Sequence, residues 1–153
     1  MRTQLIWAGF AIAFAGGLFA ARVVPDVRAQ TSPPPLSAQI VNLAAMTDEQ
    51  IGPLVPNTDL RTRLLGATEH GTVAIQSGNV FKHFHADAHE IQYIIEGSGT
   101  AWLGDKQVDL KPGDLVIIPK GIVHAGTNAT TGRFKAIAIK MPPQRPDDTK
   151  RVD

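Results

Sequence analysis

Between Leu60 and Met141 the chain never holds a helical periodicity; instead it breaks into short runs with a period of two. Leu60, Thr62 and Leu64 alternate with Arg61 and Arg63, and Val73 and Ile75 alternate with small or polar neighbours. Further runs cover Val80 to His85, Ile91 to Glu96, Thr100 to Leu103, Gln107 to Leu110, Leu115 to Ile118, Ile122 to Ala125 and Phe134 to Met141. Period two sends successive side chains to opposite faces of an extended strand, so each run predicts a half-buried strand. Turn-forming residues stand between them: Gly97-Ser98-Gly99, Gly104-Asp105, Lys111-Pro112-Gly113, Pro119-Lys120-Gly121 and Asn128 to Gly132. Many short strands without a long amphipathic helix predict an all-β fold, a small antiparallel barrel or sandwich.

With 153 residues the chain has room for one such domain. Met1-Arg2-Thr3-Gln4 leads into an uncharged apolar run from Leu5 to Ala21, and Val27-Arg28-Ala29 supplies a signal-peptidase pattern. Residues 1–29 therefore read as a signal peptide, giving a periplasmic or secreted protein with no stable membrane association after cleavage. The alternative is an uncleaved helical anchor, because the run approaches the ~20 residues that span a bilayer. Residues 30–40, with Pro33-Pro34-Pro35, read as an extended linker, and residues 41–141 as the domain. Residues 142–153 hold three prolines and mixed charges and read as a flexible C-terminal tail. Thr47-Asp48-Glu49-Gln50 has capping-box form, but Gly52-Pro53 limits it to one helical turn.

Three of the four basic residues or acids that precede the linker are Arg2, Arg22 and Arg28, so the domain itself carries no excess of positive charge. It offers no basic stripe for nucleic acid. The chain also lacks cysteine, which excludes disulfides, thiolate ligands and cysteine nucleophiles. No Ser/His/Asp arrangement or phosphate-binding glycine loop is visible.

What remains is a set of metal-ligand side chains. His83 and His85 are two apart and share one strand face. Glu90 follows a short loop, and His124 comes from another strand just after the Pro119-Lys120-Gly121 turn. Three imidazoles and a carboxylate suit one divalent transition metal (Fe, Mn, Ni, Cu or Zn) better than the all-oxygen shells of calcium or magnesium. By strand parity Phe81 shares the His83 face, and Gln92 and Ile94 share the Glu90 face, so these three are candidate pocket residues. Ile91, Tyr93 and Ile95 should point outward. His89 should point away from Glu90, toward the mouth of the site, and Asn128 is read chiefly as a turn residue within reach of the pocket.

The segment His83-x-His85-x4-Glu90-x6-Gly97, followed by Gly113-x5-Pro119-x-Gly121-x2-His124-x3-Asn128, resembles the two motifs of the cupin superfamily. The second motif fits at every fixed position. In the first, the leading glycine is replaced by Ser77, with Gly78 one step later. The resemblance covers roughly Leu60 to Met141, typical of small single-domain bacterial cupins. It implies a double-stranded β-helix, or jelly roll, often dimeric, with a metal held by His83, His85, Glu90 and His124. It implies no single reaction, because the superfamily includes dioxygenases, isomerases, lyases and non-enzymatic binders. The leading expectation is a metal-dependent dioxygenase acting on a small oxygenated organic molecule. The alternatives are a non-catalytic binding or sensing protein and a metal-dependent isomerase or lyase.

Overall fold

The computed structural model describes residues 36–153. The signal peptide expected at residues 1–29 and the prolines of the linker lie outside the described residues. Residues 36–40 have no regular secondary structure and are exposed, and Gln39 lies along a strand edge, where its Nε2 donates to the Leu65 carbonyl at 3.0 Å.

The elements are one helical turn, α1 (Asp48–Ile51), and eight strands: β1 (Arg61–Ala67), β2 (Thr72–Ser77), β3 (His83–His85), β4 (His89–Leu103), β5 (Lys106–Leu110), β6 (Leu115–Ile118), β7 (His124–Met141) and β8 (Thr149–Arg151). In α1 the Thr47 hydroxyl accepts from Gln50 N–H, and the Gln50 side chain accepts from Thr47 N–H. That is the expected capping box, stopped at Gly52.

All strand pairs are antiparallel, and the sheet curls into a jelly roll. β4 and β7 form its spine. They pair from His89↔Met141 to Leu103↔His124. β2 lies on the other side of the C-terminal half of β7 and β3 on the other side of its first residue, while β6 and β5 flank successive halves of β4.

Two expected turns are absent. Gly97-Ser98-Gly99 and Asn128 to Gly132 lie inside β4 and β7, where they produce a series of register shifts between Ile94 and Trp102. Gly97 has φ +81°, and a Cβ there would stand 2.6 Å from the Arg133 carbonyl oxygen. Only glycine lets the two strands approach and bend at the same place, so the turn chemistry serves a bulge.

The bend wraps one face around a core of Ile94, Ala101, Leu110, Phe134 and Ala136. Burying an Ile, Leu or Phe side chain stabilises by about 1.5–3 kcal/mol each. A charged network closes the entry to β3. Ser77 Oγ donates to Asp48 (2.6 Å) and accepts from Arg133 Nε (3.0 Å), and Arg133 also pairs with Asp59 at 2.8 Å. Ser77 thus ends β2 with a buried hydroxyl, and the turn passes to Gly78.

The expected flexible tail is corrected by the structure. Residues 149–151 form β8, which pairs with all of β3: His83↔Arg151, Phe84↔Lys150 and His85↔Thr149. Asp148, just before it, is 1% exposed. The prolines and charges that resemble a loose end instead lead to a three-residue strand whose ladder covers an otherwise open edge.

Candidate metal centre

His83, His85, Glu90 and His124 converge: one ligand atom from each lies within 4.8 Å of all the others, and all four side chains are buried. The sheet explains the meeting. His83 and His85 project from one face of β3, His124 is the direct register partner of His83, and Glu90 enters from the start of β4. Gly121 N–H donates to the His85 carbonyl at 2.7 Å, docking the turn before His124 onto β3. The ring centroids of His83 and His124 are 4.3 Å apart.

Hydrogen bonds fix the orientation of two rings. His83 Nδ1 lies 2.8 Å from the Phe81 carbonyl and His124 Nδ1 lies 2.9 Å from the Ile122 carbonyl. A carbonyl only accepts, so each Nδ1 carries a proton and each Nε2 is turned into the cluster. Burial drives His83 down to about 4, partly opposed by the Phe81 bond, which leaves its ring neutral near pH 7.

Glu90 Oε2 stands 3.0 Å from His85 Nε2 and 3.1 Å from His124 Nε2, and Glu90 Oε1 accepts from Gln92 Nε2 at 3.0 Å. Burial pushes the Glu90 carboxyl up, but contacts with His124 and His85, the field of Lys140 and the Gln92 bond outweigh it and hold the group well below the usual carboxylate range. A carboxylate oxygen 3.1 Å from His124 Nε2 is held there by a proton on that nitrogen or by a cation bound between the two. Two donors bound at right angles to one ion through bonds of ~2.1 Å stand about 3.0 Å apart, so the donor set and its spacing fit a transition metal.

The other sequence-derived residues separate. Phe81 packs on His83 with ring centroids 5.3 Å apart, and the Arg151 guanidinium lies over the Phe81 ring, 5.1 Å from its centroid. Gln92 and Ile94 line a small internal cavity of about 30 Å³, together with Val80, Thr127 and Phe134. Tyr93 is 44% exposed, in keeping with its outward parity. His89 points away from the cluster and accepts from Lys120 N–H at 3.3 Å. Asn128 is exposed within β7 opposite Thr100, away from any turn, because β7 continues through it.

Residues 71–140 match the family model described as a cupin domain. That match covers 70 of the chain's 153 residues. Acireductone dioxygenase 1 of Coprinopsis cinerea is 34% identical over 67 residues, covering 38% of this chain and 35% of that protein. Quercetin 2,3-dioxygenase of Bacillus subtilis is 25% identical over 122 residues, covering 69% of this chain and 36% of that protein. The chain thus spans little more than a third of the length of these two relatives. In three dimensions it is similar to an uncharacterized conserved protein with a double-stranded β-helix domain from Klebsiella pneumoniae, with a TM-score of 0.60 at 19% identity over 76% of this chain and 99% of that one. This last likeness concerns the fold alone.

Two polar residues beside the four-residue cluster have no counterpart in the sequence reading. Lys140 is the register partner of Glu90, so both side chains lie on one face of the sheet. Burial lowers Lys140, with Glu90 and Asp148 opposing the shift. The signal for it was parity, since Phe134, Ala136, Ala138 and Lys140 alternate along one strand. Asp148 places Oδ2 3.2 Å from His85 Nδ1. It lies in the segment read as a tail, and no local pattern marks it.

Proposed function

We propose that His83, His85, Glu90 and His124 hold one divalent transition metal, and that the domain uses it as a dioxygenase on a small oxygenated organic molecule. The observation carrying this reading is the buried cluster of four convergent donors, two of whose imidazoles are hydrogen-bonded so that Nε2 faces inward. The named activities of the two dioxygenase relatives support the choice of reaction. When bound, the metal would supply Lewis acidity and a redox centre toward dioxygen.

The chain's own residues have separate tasks. The Phe81 and Ile122 carbonyls orient the rings of His83 and His124. Gln92 Nε2 holds Glu90 Oε1, which leaves Oε2 directed at the imidazoles. Lys140 contributes positive charge on the Glu90 face and favours the ionised carboxylate. Phe81 covers one side of His83 and excludes water from it.

Oxygen uptake tests this reading. Full-length protein reconstituted anaerobically with Fe(II), Mn(II), Ni(II) or Cu(II) would be given catechols, diketones and flavonoids. Metal-dependent oxygen consumption with at least one class is expected; none with any combination would remove the dioxygenase assignment. A second reading, ligand binding without turnover, is favoured by the role of Glu90: the carboxylate beside the imidazoles is itself one of the four donors, which leaves no free acid or base among them. Ligand-induced thermal stabilisation without product would select it.

Export and pairing of two chains complete the reading. Export rests on residues 1–29 of the sequence. Pairing is supported by an outward apolar row on adjoining strands, where Tyr93 faces Leu115 and Ile91 faces Ile117 in register. Leu115 and Ile117 are 59% and 65% exposed.

A further inference from the structure

Asp148 lies beyond the matched cupin region of residues 71–140, yet it is fastened to the loop between His85 and Glu90. Its Oδ1 accepts from Asp87 N–H at 2.6 Å, and its backbone carbonyl accepts from Ala86 N–H at 3.0 Å. The side chain is 1% exposed, and Oδ2 has no hydrogen bond of good geometry. The basic group beside that oxygen is His85 Nδ1, 3.2 Å away. The same Nδ1 lies 3.4 Å from Thr149 Oγ1, and Thr149 Oγ1 already accepts from Gln144 Nε2 at 2.7 Å.

The three imidazoles are therefore supported differently. His83 and His124 each meet a backbone carbonyl, whereas His85 meets a side-chain carboxylate delivered by the C-terminal segment. A buried carboxylate is an acceptor only, so it favours the proton on Nδ1. Glu90 Oε2, 3.0 Å from Nε2, draws a proton to the other side of the same ring, so Nε2 can be given to an ion only while a proton stays on Nδ1, the arrangement that carboxylate–histidine pairs produce behind metal ligands. A carboxylate without a full partner is costly to bury, and a metal-bound imidazole would offset its charge.

We propose that Asp148 is a positioning residue for His85: it holds the Nδ1 side of the ring and keeps a proton there, which makes the C-terminal strand part of the metal site. The second half of this statement rests on the metal reading above, while the hold on Nδ1 is a property of the metal-free chain.

The test uses metal-stripped, full-length, 15N-labelled protein. Long-range 1H–15N correlation spectra show which ring nitrogens of each histidine carry a proton, and Zn²⁺ affinity follows from competition with a chelator. Asp148→Asn keeps an oxygen for Asp87 N–H and turns an amide donor toward His85 Nδ1. His85 should carry a proton on Nδ1 in the wild type and none there in this variant, while His83 and His124 keep theirs. Zn²⁺ affinity should fall about 10- to 100-fold. Asp148→Ala, which removes the carboxylate without adding a donor, should give a smaller loss. A proton still on His85 Nδ1 in Asp148→Asn, or a variant that binds Zn²⁺ as the wild type does, would overturn the proposal. A wild type that binds no Zn²⁺ would overturn the metal reading instead, and the comparison of ring protons would still decide what Asp148 does to His85.

Discussion

His83 and His124 stand directly opposite each other across the β3–β7 pair, with ring centroids 4.3 Å apart. Each ring is tied through Nδ1 to the carbonyl two residues earlier, at Phe81 and Ile122. Two distant segments therefore present the same local device to one point. The site is built by sheet register, and its rings are oriented before any ion arrives.

His83→Ala should reduce affinity for Zn²⁺ or Co²⁺ by more than the about 10- to 100-fold that loss of an outer supporting group produces. Chelator competition reads the change. A wild-type affinity would mean that His83 is not a ligand.

Glu90→Gln separates metal binding from folding. The amide keeps most of the side-chain shape but loses the carboxylate that the fold stabilises, so the metal-free variant should be less stable than metal-free wild type, and each protein's own metal-free form is the reference. Saturating metal stabilises a protein that binds it by about 4 kcal/mol at a thousand times its dissociation constant. Wild type should gain that order of stability with Zn²⁺ in calorimetry, and Glu90→Gln should lose most of the gain. Equal gains in both proteins would exclude Glu90 from the site.

The Asp59–Arg133 pair gives a pH dependence away from the cluster. The hydrogen bond from Arg133, followed by that from Asn79 N–H, lowers the Asp59 carboxyl from its ordinary 3.8. A depressed carboxyl contributes stability that is present above the unfolded value and is lost as pH falls through the folded value. Asp59→Asn should therefore flatten the loss of stability below about pH 4. Urea unfolding from pH 2 to 7 checks this, and parallel curves for the two proteins would contradict it.

Gly97 and Gly113 both have positive φ, but only Gly97 faces backbone: Arg133 O would lie 2.6 Å from a new Cβ, whereas nothing lies within 4 Å at Gly113. Gly113→Ala should cost about 1–2 kcal/mol from conformation alone. Gly97→Ala should cost clearly more, because β4 and β7 must separate. Equal unfolding midpoints for the two variants would show that the bend does not depend on this contact.

Much of this was legible in the sequence because the relevant signals are local. Period-two runs give the strands, Thr47 and Gln50 give the helical turn, and the spacing of His83, His85, Glu90 and His124 gives the cluster. The turns inside β4 and β7 were misread because glycine has the same sequence appearance in a bulge as in a hairpin; only the partner strand distinguishes them. β8 was missed because three residues cannot show a period, and its ladder with β3 is a long-range fact. Asp148 and Lys140 were hidden for the same reason, since their significance comes from what the sheet places beside them.

Metal content tests the central claim most directly. Full-length protein purified without an immobilised-metal column, with His124→Ala prepared in parallel, would be measured by inductively coupled plasma mass spectrometry. The wild type should carry about one transition-metal ion per chain, as a single four-donor site requires, and His124→Ala should carry little. A wild type without stoichiometric metal, or a His124→Ala protein holding as much as the wild type, would contradict the account.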